Sequence, residues 1–453
     1  MFESACAMSF VKVSPRAQSG FLAAALSLSN VARILSILVV TILLGRTRGP
    51  SDLGDFSVLL AAVAVLQSIS IGGLSGAAVR KLIEGGEQRG ASIAVIIAAR
   101  LILIVPSFTI GFILVLTIVG LHQTHFLALT IFFICYAIGT FDVPEIIWMG
   151  RGGFKVVAGR RLIVVSLMLP PKLAAAAFGN FELVLIFQGL EAALWQGALL
   201  NRSGLGSASL RSAIKSLRAG IKQLNELRNL WLSSIAAVVS ARADVFIVAA
   251  LLGSAIVGQY ATASRFVEAA TILAVAITSV FFNDLVKVSS DSAKYAQECA
   301  RASRVVFGFG FLVFAALFTI GPAMIIFLYG SEFRSASEML PAYSIVIVFI
   351  FQRQLLSKVL IIERAYGYSL VSNLTSLGIN VGMNIVLVST IGVWGAILAA
   401  VLSNALSICC TFFPTQRGRD MLMISMGSIF MPKSMVERSS GRLKNMRKVS
   451  END

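Results

Sequence analysis

Twelve runs of about twenty predominantly apolar residues recur along the chain, at 21–44, 56–79, 92–119, 126–149, 162–178, 183–200, 230–252, 261–282, 305–328, 342–362, 370–389 and 393–413. A helix rising about 1.5 Å per residue needs roughly twenty such residues to cross the ~30 Å hydrocarbon core of a bilayer. There it must satisfy its own backbone N–H and C=O groups. The expected fold is an all-α polytopic membrane protein with about 12 transmembrane helices. A charged fraction of 13% and a mean hydropathy of +0.86 exclude a water-soluble domain. Only Gly179-Asn180-Phe181-Glu182 separates the fifth run from the sixth, so those two should form a tight hairpin.

The net charge of +16 invites a nucleic-acid reading, which the placement of the basic residues removes. Alternate loops, counted from the N-terminus and including the tail, hold 28 Lys and Arg. The opposite loops hold four: Arg46, Arg48, Lys172 and Arg334. Basic residues collect on the cytoplasmic side, so both termini are expected there, in a bacterial inner membrane. The opening residues are too polar for a secretory signal, and the first run ends at Gly45-Arg46 without a small-residue cleavage site.

The longest interior loop divides the chain. It carries RSAIKSLRAGIKQLNELR, with Leu210, Ile214, Leu217, Ile221 and Leu224 three and four apart among basic residues, the pattern of an amphipathic helix lying on an anionic membrane face. The expected organisation is a cytoplasmic segment (1–20), a six-helix bundle (21–200), the basic amphipathic linker (201–229), a second six-helix bundle (230–413) and a basic tail (414–453). The two bundles resemble each other. Arg33, Leu43-Leu44-Gly45 and Gly54-Asp55-Phe56 follow the same order as Arg242, Leu251-Leu252-Gly253 and Gly258-Gln259-Tyr260. Repeated halves commonly place a transporter's substrate site near the bilayer midplane.

A charge within a membrane-spanning helix costs about 2.5–3.5 kcal/mol on insertion scales, so each one requires a partner or a purpose. Arg33 and Arg242, about eleven residues into their runs, and the comparably deep Arg353 are the candidates for holding an anionic group, because guanidinium stays charged and forks around phosphate oxygens. The alternative role is pairing with acids: Arg265 with Glu268 one turn on, and Arg242 with Asp244 or an acid on another helix. Glu191, Asp244, Asp142 and Glu145 could relay protons or serve as ion-pair partners, and the sequence leaves both roles open. Arg100 and Lys358 lie close enough to the inner interface to snorkel. The five cysteines show neither zinc nor redox spacing, and His122 and His125 share one short loop, so no metal or cofactor is expected.

Four stretches carry a family resemblance. LLGRTRGPSDLGDFSVLLAAVAVLQSISIGGLSGAAVRKL resembles the first hairpin of the Wzx-type polysaccharide-biosynthesis flippases of the MOP (multidrug, oligosaccharidyl-lipid, polysaccharide) exporter superfamily. RADVFIVAALLGSAIVGQYATASRFVEA resembles their seventh and eighth helices, FLYGSEFRSASEMLPAY the loop between the ninth and tenth, and SNLTSLGINVGMNIVLVSTIGVWGAILAAVLS the last two helices. The stretch EIIWMGRGGFKVVAGRRL keeps the family's Gly-Phe-Lys character without the aromatic-rich form before it.

The resemblance implies a MATE-like fold of two six-helix bundles around a central cavity that opens alternately inward and outward. It implies a polyprenyl-diphosphate-linked oligosaccharide moving from the cytoplasmic to the periplasmic leaflet for surface or exo-polysaccharide synthesis, with Arg33, Arg242 and Arg353 at its diphosphate. A polysaccharide polymerase and a chain-length regulator are partners implied by the family alone. An enzyme of the same pathway would want a sizeable soluble domain or a long outer loop, and the outer loops here are short. A cation-coupled multidrug or small-molecule exporter of the same superfamily is the alternative. Such exporters typically carry an acid in the first helix, and this chain has none between Glu3 and Asp52.

Overall fold

The computed structural model describes residues 15–84, 89–118, 125–201, 203–205, 207–363 and 366–425. Among them every regular element is helical. The first nine helices are α1 (Pro15–Ile71), α2 (Leu74–Glu84), α3 (Arg89–Ile118), α4 (Phe126–Thr140), α5 (Val143–Gly150), α6 (Phe154–Ala177), α7 (Phe181–Leu200), α8 (Ser207–Lys215) and α9 (Leu217–Glu226). The rest are α10 (Arg228–Leu252), α11 (Ser254–Val288), α12 (Ser292–Thr319), α13 (Gly321–Tyr329), α14 (Arg334–Ser344), α15 (Val346–Ile362), α16 (Tyr366–Ile391), α17 (Val393–Phe412) and α18 (Gln416–Ser425). His122, the first fourteen residues and the tail beyond Ser425 lie outside the described residues.

Nine described helices are long and apolar enough to cross a membrane, or ten if a pair bent by 46° counts as one span. The first of the nine, Ser29–Ile83, covers the second expected run and most of the first, and the fifth expected run, in α6, is not among them. Two expected runs are broken by proline chemistry. The fourth divides at Phe141-Asp142, because Pro144 starts α5. The ninth divides at Ile320, because Pro322 starts α13. Proline lacks an N–H and fits only the first turn of a helix, so each marks a new start. The expected hairpin between α6 and α7 is present: Gly179 turns at φ 64°, and the Asn180 side chain accepts the Leu183 N–H at 3.0 Å. The chain is an all-α polytopic membrane protein. Its outward-facing Phe178, Phe327 and Leu127 are 88%, 76% and 71% exposed, a surface suited to lipid and poorly suited to water.

The chain divides into two units. The first comprises Met1–Val40, Ser75–Ile102 and Leu127–Gln223, and the second Thr41–Leu74, Leu103–Phe126 and Leu224–Asp453. In the first, Ala78 and Leu82 of α2, Ile96, Ile97 and Ala98 of α3, and Val143, Ile146 and Ile147 of α5 close over Ala213 of α8. In the second, Val257, Tyr260, Ala263 and Val267 of α11 lie in one core with Phe351, Leu355 and Val359 of α15.

The second unit also sets the register of the internal repeat, which keeps the expected pairing of Gly54 with Gly258 and shifts that of the Leu-Leu-Gly triplets and the arginines. α1 breaks at Gly49 (φ 77°, ψ −173°), and α10 ends at Gly253 in the same conformation (φ 83°, ψ 170°). Five residues on, Gly54 faces the Ser254 carbonyl and Gly258 faces the Pro50 carbonyl. A Cβ on either glycine would lie 1.9 or 1.8 Å from the opposing oxygen. This reciprocal backbone contact makes Gly49, and not Gly45, the counterpart of Gly253. Gly45 is inside α1, against Tyr329 and Phe333. In the corrected register Arg33 answers Ala237 and Arg242 answers Leu38, so the two arginines are not repeat equivalents.

Candidate functional site

Each unit contains its own polar centre. In the first, Asn30, Arg33 and Ser36 follow one another at three-residue spacing on one face of α1. Lys172, fully buried in α6, donates to Ser36 Oγ at 2.8 Å, to Gln188 Oε1 at 3.4 Å, and to Glu191, its ion-pair partner on α7. Gln188 in turn donates to the Tyr136 hydroxyl at 3.1 Å. The loop-charge count assigns Lys172 to the outer loops, although the fifth apolar run, 162–178, contains it. α6 instead continues through Pro170-Pro171 to Ala177, which draws Lys172 inside, and Lys172 is the residue that sequence reasoning missed here.

A second network in the same unit gathers around Glu145 of α5. Its carboxylate accepts Trp195 Nε1 at 3.0 Å, Gln196 Nε2 at 3.4 Å and Arg161 at 3.3 Å, while Arg161 also donates to Asn30 and stacks 3.7 Å from the Trp195 ring centroid. Arg100 forks onto Asp142, at 2.6 and 3.1 Å, with Ser75 Oγ donating to the same carboxylate at 2.5 Å. Arg100 is 2% exposed, so it does not snorkel to the interface as expected. The break before Pro144 leaves Asp142 at the start of α5, where it can take this fork.

Arg33 stands apart from these networks. It is exposed, lies within electrostatic reach of Tyr136, Arg161 and Lys172, and forms no hydrogen bond or ion pair among the described residues. It lies sixteen residues before the break at Gly49, or ~24 Å along the helix, whereas Arg242 lies eleven residues before Gly253, or ~16 Å. The two are therefore at different depths in their helices. The expectation of equal depth rested on where each apolar run begins, but α1 starts well before its run.

In the second unit, Glu268 takes Arg242 of α10 as its partner, and the expected pair between Arg265 and Glu268 does not form. Arg265 donates instead to Ser57 Oγ at 3.0 Å, and its buried Nε has no partner. The two residues, three apart on α11, project to different neighbours. Asp244 is buried without a basic contact. It accepts the Tyr260 hydroxyl and its neighbour's N–H, from Val245, at 2.9 Å, and Tyr260 stacks on Tyr343 at 5.5 Å. Arg353 of α15 donates to Ser376 Oγ at 3.2 Å and Asn404 Oδ1 at 3.4 Å, with no carboxylate partner among the described residues. Three of the four candidate relay acids, Glu191, Asp142 and Glu145, therefore hold cations, and Asp244 holds a tyrosine. No group of three or more His, Cys, Asp or Glu suited to a metal is found among the described residues.

Arg33, Arg265 and Arg353 thus form no ion pair with an acid among the described residues, although Arg265 lies within electrostatic reach of Glu268. Arg242, expected beside Arg33 and Arg353, is bound to Glu268. Arg265, expected to be paired, takes its place among the acid-free arginines.

The family model described as "Polysaccharide biosynthesis protein" matches residues 43–338, well over half of the chain. The chain belongs to this family. The matched residues include the first two stretches that carry the resemblance and the third as far as Glu338, and stop short of the fourth, in α16 and α17. No curated protein sequence matches the chain. Among solved structures, it is similar to a lipid II flippase, MurJ, in an inward closed conformation, at 15% identity and a TM-score of 0.67, over 93% of this chain and 98% of that one. It is also similar to an inward-facing multidrug resistance MATE family transporter of the MOP superfamily, at 16% identity and a TM-score of 0.63, over 86% and 94%. A MATE protein in a bent conformation matches at 14% identity and a TM-score of 0.57, over 92% and 98%. At these identities the likeness is one of fold, and it agrees with the MATE-like architecture expected from the four stretches.

Proposed function

We propose that this family member is a flippase that carries polyprenyl-diphosphate-linked oligosaccharide repeat units from the cytoplasmic to the periplasmic leaflet by alternating access. Its two six-helix halves, joined by the basic linker, would work in an inner membrane with both termini cytoplasmic. The carrying observation is that Arg33, Arg265 and Arg353, in helices of membrane-spanning length, form no ion pair among the described residues. A lone guanidinium in hydrocarbon is costly, and a diphosphate head group is the kind of ligand that offsets this cost through charge-assisted, forked hydrogen bonds. Family membership supports a role in polysaccharide synthesis, and the MurJ-like and MATE-like fold supports transport.

Within this reading, Arg33 and Arg265 are the head-group residues, with Arg353 as a third. The Arg242–Glu268 pair is kept as a part of the site that the head group could open. Repeat units would be consumed on the far side by a polymerase with its chain-length regulator.

Deleting the gene in its host and analysing membrane lipids by mass spectrometry tests the proposal. Accumulation of one complete polyprenyl-diphosphate repeat unit, with loss of a surface polysaccharide, is expected. Unchanged lipids and glycans would overturn the reading in favour of a cation-coupled exporter.

A further inference from the structure

The linker helices contain a surface that the proposed transport does not use. From Arg211 to Gln223, α8 and α9 present a buried face, an aliphatic stripe and a basic stripe. Ala213, Gly220 and Gln223 are buried. Ala213 sits in the core between α2, α3 and α5, Gly220 lies against Ala98 and Ala99 of α3, and Gln223 accepts a hydrogen bond from Lys81 at 3.3 Å. A Cβ on Gly220 would lie 3.0 Å from the Ala99 backbone nitrogen, so the glycine permits the close approach that fixes the rotation of α9.

With that face docked, Ile214, Leu217 and Ile221 project outward, 66%, 40% and 57% exposed. Arg211, Lys215, Arg218 and Lys222, all exposed, follow as a separate stripe at helical spacing. The linker joins the ends of two helices that are long and apolar enough to span a membrane, α7 and α10. An aliphatic stripe flanked by a basic stripe, on a segment held at helix ends, is the arrangement of a helix lying in the interface, with its aliphatics toward the acyl chains and its cations at the head groups.

We propose that α8 and α9 form a binding surface for anionic phospholipid head groups of the bilayer. Charge complementarity selects this occupant. Four cations are aligned on one stripe, with the exposed Glu226 following only at its end, one turn after Lys222. The proposal is independent of the cargo assignment.

The test uses the full-length chain with its native cysteines replaced and a fluorophore on Ile221→Cys, reconstituted in phosphatidylcholine vesicles. These contain a small, equal fraction of either brominated phosphatidylglycerol or brominated phosphatidylcholine. Stronger quenching by the anionic bromolipid is expected. Arg211→Gln, Lys215→Gln, Arg218→Gln and Lys222→Gln should each reduce that preference by up to about fivefold and together abolish it. The quenching by brominated phosphatidylcholine should survive, because Ile214 and Leu217 still hold the helix in the interface. These four positions are exposed, so the variants keep the fold. A probe that neither lipid quenches, or that both quench equally in the unmodified stripe, would overturn the proposal.

Discussion

The Lys172–Glu191 centre of the first unit and the Arg265–Ser57 contact of the second solve the same problem differently. Both bring a cation into the helical interior, Lys172 on α6 and Arg265 on α11, a helix of membrane-spanning length. Lys172 meets a carboxylate, a hydroxyl and an amide, so its buried charge is neutralised and its donors are used. Arg265 meets one hydroxyl and keeps a buried Nε without a partner. The first arrangement is complete by itself, while the second leaves a donor that, in the proposed reading, the head group would take. The difference separates charges that hold helices together from charges available to a ligand. Depth in the sequence does not draw that distinction, since Arg242 and Arg265 are both well inside apolar runs.

The comparison breaks most sharply at the closed centre. Removing one partner with Lys172→Met or Glu191→Met leaves the other charge buried and alone, and should cost about 3–5 kcal/mol. The double replacement should recover most of that loss. Thermal unfolding of the purified variants reads both, and additive single losses would contradict the ion pair. At the open cations the pattern reverses. Arg33→Gln, at an exposed position, should leave stability within about 0.5 kcal/mol, and Arg265→Gln and Arg353→Gln, which remove a cation without an ion-pair partner from a helix of membrane-spanning length, should not lower it by more than about 1 kcal/mol. Each should weaken binding of a polyprenyl diphosphate by at least about tenfold, the worth of a charge-assisted hydrogen bond. Arg33→Lys should fall between, keeping the charge and losing the fork, as export of the glycan in complemented cells would show. The smallest effect belongs to Glu268→Gln, whose side chain is 49% exposed in its pair with Arg242 and should contribute about 1 kcal/mol or less.

Much of this architecture was legible because a bilayer imposes simple rules. Apolar run length located the spans, and Gly179-Asn180 announced its hairpin because a glycine turn and an asparagine cap need little context. The family was legible from short stretches in order. What failed was register and partnership. The repeat had seemed to align on two Leu-Leu-Gly triplets, but the true correspondence comes from backbone contact between Gly54 and Ser254 and between Gly258 and Pro50, which no local pattern reveals. Arg265 and Glu268 looked paired because they are three apart on one helix, yet the partner of Glu268 comes from α10. Lys172 was counted with the outer loops although it lies in the fifth run, and α6, continuing through Pro170-Pro171, buries it. The sequence did mark Arg33 and Arg353 as candidates, and both lack acids among the described residues.

The most direct test of the central claim is ligand-induced thermal stabilisation of the purified protein by a polyprenyl diphosphate, compared between the unmodified chain and Arg33→Gln, Arg265→Gln and Lys172→Met. A ligand at about a hundred times its dissociation constant stabilises the form it binds by about 2.7 kcal/mol. The account predicts a clear rise in Tm for the unmodified chain and for Lys172→Met from its lower baseline, and little or none for the two arginine variants. Equal rises in all four proteins would contradict the claim that the acid-free arginines hold the head group.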